Sequence, residues 1–260
     1  MTDPWVPERP RSQRFLAGPR WAGRLAIVGQ GRMGRGMSVA LRTAGAAVSG
    51  PHPRGFAGDG SEAVLLCVPD DRIAAAAALL VEGPFVGHCA GALPLSVLAT
   101  VPPERRFSVH PLITATTARA VFTGASAAVA GGSRGARAVA STIAVTAGMR
   151  PFVLDETDRA AYHAGAAMAA NFLVTVQWAA ARLLTTAGVP PTAVLPLARQ
   201  ALAAWSELGP DALTGPVARG DVGTVAAHRS AVADRTPDLL PLFDELVRAT
   251  ERLASREETP

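Results

Sequence analysis

Apolar residues collect along this chain in short continuous runs rather than in alternation. They are "LAIV" at 25–28, "AVLLCV" at 63–68, "FVGHCAG" at 85–91, "RFSVH" at 106–110 and "ASAAVAGG" at 125–132, with a weaker run, "AAVSG", near 46. Runs of this length and kind predict strands that are covered on both faces. Between them the period changes. Met33, Met37, Ala40, Leu41 and Ala44 recur at helical spacing, and Gly45 supplies a stop. Alanine-rich stretches at 71–81 and 134–148 predict two more helices. Strands alternating with helices predict an α/β unit built on a parallel sheet, closed by "RPFVLDE" near 155.

From 156 the strand pattern stops. A long helix is predicted over 156–186, ending at "AGVPP", where glycine and prolines break it. Further helices are predicted over 191–207 and 224–233, with the turn-rich "GPDALTGPVARGD" before the second. Thr236 is placed to cap a last helix with Pro237 at its first position, and Leu239, Leu240, Phe243, Leu246, Val247 and Leu253 mark its buried stripe. The expected organisation is a mobile Pro- and Arg-rich tail over 1–20, an α/β domain over 21–155 and an all-α domain over 156–260.

Composition narrows the function classes. At 49% hydrophobic and 18% charged, the chain reads as a folded soluble protein. It contains no lysine, and its formal net charge is only +4. No basic block is interleaved with aromatics, so nucleic acid is not an expected partner. The N-terminus has no apolar core of a signal peptide. Residues 161–181 carry no Asp, Glu or Arg and are long enough to span a bilayer. They hold His163, Asn171 and Gln177, each costly in lipid, so a helix buried in protein is expected instead. Cys67 and Cys89 show neither metal nor disulfide spacing and are expected to be reduced, in a cytoplasmic protein. No metal site is expected.

The first strand runs into Gly29-x-Gly31-x-x-Gly34, which opens a helix. In that context Gly29 permits the tight turn, Gly31 lets backbone amides approach a pyrophosphate, and Gly34 allows close helix–strand packing. This is the pattern of a Rossmann-type dinucleotide site, with Gln30, Arg32 and Met33 in the loop and Val68 and Pro69 at the next strand end. An NAD site usually carries an acid about 20 residues after the first glycine. Here the stretch is "VSGPHPRG", offering Ser49, His52 and Arg54. The missing acid and the arginine favour NADP, with NAD as the alternative; a merely solvated Arg54 is the plain reading. Asp70 and Asp71 are explained by helix capping, and His88 by a satisfied place in the core.

His110, in "SVHPL", stands at a strand's carboxyl end, where open α/β sheets bind ligands, and imidazole trades protons near neutrality. A catalytic and a structural role both fit it. His163, Ala167 and Asn171 are four residues apart, so a straight helix would present them on one face. Thr214 and Arg219, in "LTGPVARGD", lie in a Gly/Pro turn suited to holding a carboxylate, and an ion pair between Arg219 and Asp221 is the plain alternative. The near-uniform apolarity of the long helix predicts a homodimer.

On "GQGRMG", "HPL", "YHAGAAMAAN" and "LTGPVARGD" followed by His228, residues 22–250 resemble Rossmann-like proteins with a C-terminal helical domain of unknown function. These are similar in plan to ketopantoate reductases, pyrroline-5-carboxylate reductases and β-hydroxyacid dehydrogenases. The resemblance implies an oxidoreductase acting on a small carboxylated substrate, with ketopantoate the leading specific guess. The "HPL" stretch is also similar to the His-Pro pair of prephenate dehydrogenases. The chain departs from its relatives in one respect. β-Hydroxyacid dehydrogenases and ordinary ketopantoate reductases use a lysine on the long helix, and the β-hydroxyacid dehydrogenase position is here Ala167. The expected proton carrier is therefore His110 or His163, with Asn171 orienting the carbonyl. A dinucleotide-binding or sensing protein without catalysis is the rival reading.

Overall fold

Seven strands form one sheet in the order β2-β1-β3-β4-β5-β6-β7. They are β1 Leu25–Val28, β2 Val48–His52, β3 Ala63–Leu66, β4 Phe85–His88, β5 Arg106–Pro111, β6 Ser126–Gly131 and β7 Arg150–Val153. The computed structural model describes residues 15, 16, 18–114 and 122–255. β1 to β5 are parallel, whereas β6 runs antiparallel to β5 and parallel to β7. The sheet is thus parallel as expected, with β6 the one reversal among its strands. Pro111 pairs with Ala127 across this reversal, an antiparallel return that needs no crossover helix.

Side-chain alternation on each strand fills two cores, one per face. Leu25, Ile27, Leu65, Phe107 and Val109 pack with Met37 and Leu41 of helix α1 (Arg32–Thr43) and Ile143 of helix α3 (Arg134–Thr146). Ala26, Val28, Val64, Leu66 and Val86 face the other way, onto Ile73 of the short helix α2 (Ile73–Ala77) and Leu98. This double coverage is why the strands read as unbroken apolar runs. Of the expected tail, residues 1–14 and 17 lie outside the described residues. Leu16 donates its amide to the Pro151 carbonyl at 2.7 Å, and Phe15 stands edge-on to Phe152.

Contacts divide the chain into two units, 1–167 and 168–260. The first ends inside the long helix, at the end of α4 (Arg159–Ala167). The helix then passes through a π turn, Met168–Phe172, into α5 (Leu173–Thr186). The second unit continues with α6 (Leu195–Leu208), α7 (Val222–Arg235) and α8 (Leu240–Ser255). Among its described residues only Val232, Thr236 and Leu239 are buried. Arg182 pairs bidentately with Asp238, and Arg229 with Asp244. Thr236 forms no side-chain cap; its hydroxyl turns back to the Val232 carbonyl. Glu156–Thr186 is the one helix among the described residues long and apolar enough to cross a membrane. None of its apolar window is buried in this chain, contrary to the expectation of a core helix.

Candidate active site

The sheet's carboxyl edge is assembled from the ends of adjacent parallel strands, and the glycine loop follows β1. Gly29 has φ +118°, and a Cβ there would collide with the Cys67 carbonyl. A Cβ on Gly34 would overlap the Gly29 carbonyl oxygen and sit 3.3 Å from Cys67 Cβ. Above Gly31 a Cβ would meet nothing within 4 Å. Gly31 is also the N-cap of α1, with no side-chain cap and no acid in the first turn. The helix therefore offers its first N–H groups to open space, and its dipole favours an anion there. These residues fit a dinucleotide pyrophosphate. Gln30 and Arg32 are exposed around the loop, while Met33 packs on the core.

Beyond β2, Ser49 Oγ lies 3.0 Å from His52 Nε2, and the His52 ring stacks on Phe56 at 3.7 Å and 2°. Burial, then the neighbouring Arg42, lowers the His52 pKa. Arg42 is used locally, its Nε donating to the Val48 carbonyl and its Nη2 to that of Gly50. Arg54 is exposed, and no acid stands at the end of β2. Val68 and Pro69 follow β3, and Val68 packs on the second core. Asp70 and Asp71 do not cap: Pro69 occupies the N-cap of their 3-10 turn, and Asp71 pairs with Arg72 at 3.1 Å. Cys67 and Cys89, dismissed on spacing, follow neighbouring strands and bring their sulfurs to 3.5 Å as free thiols.

His110 is the penultimate residue of β5, and its Nδ1 lies 2.6 Å from the hydroxyl of Tyr162 on α4. The His163 ring stands 6.0 Å from that of His110. Gly91, after β4, faces both: a Cβ there would lie 2.8 Å from His110 Nε2 and 2.7 Å from His163 Cδ2. Burial first, then His163 and Arg159, pushes the His110 pKa down to about 4. Burial and Arg159 push His88 to about 4 as well; its Nδ1 accepts the Ala90 amide at 3.2 Å. Burial raises the Tyr162 pKa well above that of a free phenol. The buried centre of this group is Arg159, 3% exposed. It donates to Ser108 Oγ at 2.5 Å, to Glu156 Oε1 at 2.8 Å and to the Gly91 carbonyl at 3.4 Å. Glu156 Oε2 in turn accepts the Leu95 amide at 2.7 Å. A buried charge needs such partners, and these pin the start of α4 to β5 and the loop after β4.

The structure therefore groups His110 and His163 but adds Tyr162, Arg159, Glu156 and Gly91, which the sequence reading left without roles. The uniqueness of Tyr162 and the lone arginine before an uncharged run were the available signals. Asn171 does not follow His163 in α register. It sits within the π turn Met168–Phe172 and is exposed. Thr214 and Arg219 are exposed in a turn with Gly215 at φ +101° and Gly220 at φ +67°. Asp221 is spent on capping α7 through the Thr224 amide at 3.0 Å and hydroxyl at 2.7 Å, rather than on an ion pair with Arg219.

Residues 125–250 match the model of a family described as "Domain of unknown function (DUF2520)". A protein from Thermotoga maritima has a similar structure, with TM-score 0.73 and 22% identity, covering 89% of this chain and 98% of its own. A candidate NADP oxidoreductase from Bacteroides fragilis gives the same four values. Pyrroline carboxylate reductase from Plasmodium falciparum, solved with NADP bound, is similar at TM-score 0.59 and 12% identity, covering 89% of this chain and 98% of its own. At such identities the likeness is one of fold. No curated protein matches the sequence.

Proposed function

We propose that the chain is a cytoplasmic NADP(H)-dependent oxidoreductase, with NAD as the alternative cofactor, acting on a small carboxylate with a keto, hydroxy or imine carbon. One observation carries this reading: the Gly29–Gly34 cradle and His110 stand along the carboxyl ends of one run of parallel strands. Ligands of open α/β sheets bind at that edge. The structural neighbours named for NADP support the cofactor, and Arg54 in place of an acid supports the 2′-phosphate. Ketopantoate is the specific substrate candidate.

When bound, the nicotinamide supplies or takes up the hydride. The chain's own part is placement and proton handling. The α1 N-terminus holds the pyrophosphate, and Ser49, His52 and Arg54 attend the ribose phosphate. In the reducing direction the carbonyl π bond opens as the carbon gains the hydride, and its oxygen takes a proton from solvent through the His110–His163 cluster. Asn171 is the proposed orienting group, and Thr214 and Arg219 are the proposed carboxylate anchors. The test is NADPH oxidation with a panel of 2-keto acids. His110→Ala should lower kcat about a hundredfold, within the usual range for a proton-handling group, while NADPH affinity stays the same. NADPH binding without turnover on any 2-keto acid would favour the sensing reading instead.

A homodimer is also proposed. Helices α5 and α6 contain no buried residue, and Phe172, Val174, Trp178, Leu197, Trp205 and Leu208 are all exposed. Large apolar side chains and small alanines alternate on the same helices, so a second copy offers both knobs and the spaces to receive them. Sedimentation at micromolar concentration should give twice the mass of one chain; a monomer alone would remove the proposal.

A further inference from the structure

We propose that Tyr162 is a positioning residue that holds His110 in the tautomer protonated on Nε2, with that N–H on the Gly91 side of the ring. The inference rests on the oxidoreductase reading for its purpose but not for its geometry. At 2.6 Å the Tyr162 oxygen and His110 Nδ1 share one hydrogen. A phenol is a better donor than acceptor, and an imidazole nitrogen is the stronger base of the two. The hydroxyl therefore donates, and the ring's own hydrogen moves to Nε2.

Both partners are uncharged at neutral pH, because burial raises Tyr162 and lowers His110. The charged and titratable groups around the ring agree with this: His88 on the sheet side, and Arg159, Tyr162 and His163 on α4, with Glu156 occupied by Arg159. Tyr162 cannot swing freely. Its ring stands edge-on to His110, with centroids 5.5 Å apart, and at 67° to Phe152. Arg159, one turn earlier on the same helix, ties that turn to Ser108 and the Gly91 carbonyl. The far edge of the imidazole, Cε1 and Nε2, lies on the side of Gly91, where a Cβ would come within 2.8 Å, and the ring as a whole is half-buried. An N–H held there suits hydrogen bonding to a carbonyl oxygen or imine nitrogen, drawing electron density from the carbon that receives the hydride.

The experiment records 15N spectra of the full chain labelled in histidine, with His110→Ala identifying the His110 signals. In the unmutated protein Nε2 of His110 should be the protonated nitrogen and Nδ1 the hydrogen-bonded acceptor. Tyr162→Phe should mix the tautomers, shift the pH at which His110 titrates, and lower kcat about tenfold with KM and NADPH affinity near their original values. A proton on Nδ1 in the unmutated protein, or His110 signals unchanged by Tyr162→Phe, would overturn the inference. The spectra need no substrate. The expected tautomer without turnover on any substrate would therefore uphold the positioning role and remove only the oxidoreductase reading.

Discussion

Acidifying the protein from about pH 7 towards 4 is expected to remove several kcal/mol of stability, chiefly through His88 and His110. Both are held neutral by burial and titrate near 4 in the folded chain, against 6.5 for a free imidazole. The unfolded chain therefore takes up protons below 6.5 that the folded one refuses. Stability from this source is complete above 6.5, falls between 6.5 and 4, and changes no further below that. One histidine moved that far contributes on the order of 3 kcal/mol. Two that share Arg159 as a neighbour will contribute less than twice as much. Urea unfolding at a series of pH values should give a limiting slope approaching two protons, about 2.7 kcal/mol per pH unit. His110→Ala should roughly halve it. A stability flat across the window would show that both rings take up protons as readily as in the unfolded chain.

Gly34→Ala should be the most damaging single methyl group in the dinucleotide loop. Its Cβ would overlap the Gly29 carbonyl oxygen, and neither backbone segment can give way without separating α1 from β1. Forced packing of this kind costs about 3 kcal/mol, and NADPH binding should be lost with it. Gly31→Ala is the informative contrast. Nothing lies within 4 Å of its Cβ, so the melting temperature should not move, yet the methyl would stand where a pyrophosphate approaches. A tenfold or greater loss of NADPH affinity is expected, about 1.4 kcal/mol. Unchanged affinity in Gly31→Ala would place the cofactor elsewhere.

What could be read from the sequence was local. The strand runs, the helical spacing after Gly34 and the glycine loop are all written within a few residues, and each appears where expected. His110 could be placed at a strand end for the same reason. The latch around Arg159 could not be, because its partners Ser108, Gly91 and the Leu95 amide lie 51 or more residues away. Nor could the role of Tyr162: its rarity was visible, but its pairing with His110 spans 52 residues. The reversal of β6 and the π turn at Met168–Phe172 leave no mark in hydrophobic periodicity.

The long helix also carries a contrast from one end to the other. Its first turns are pinned by a buried arginine with three hydrogen-bond partners, while from Met168 to Thr186 no residue is buried. Amide hydrogens should therefore not exchange as one cooperative segment. Those near Tyr162 should exchange with the slow class of the sheet strands, and those after Phe172 by local opening at much lower free energy. If a second copy covers the later turns, their protection should rise with protein concentration while that near Tyr162 stays fixed. The two ends of a single helix would then report two different equilibria.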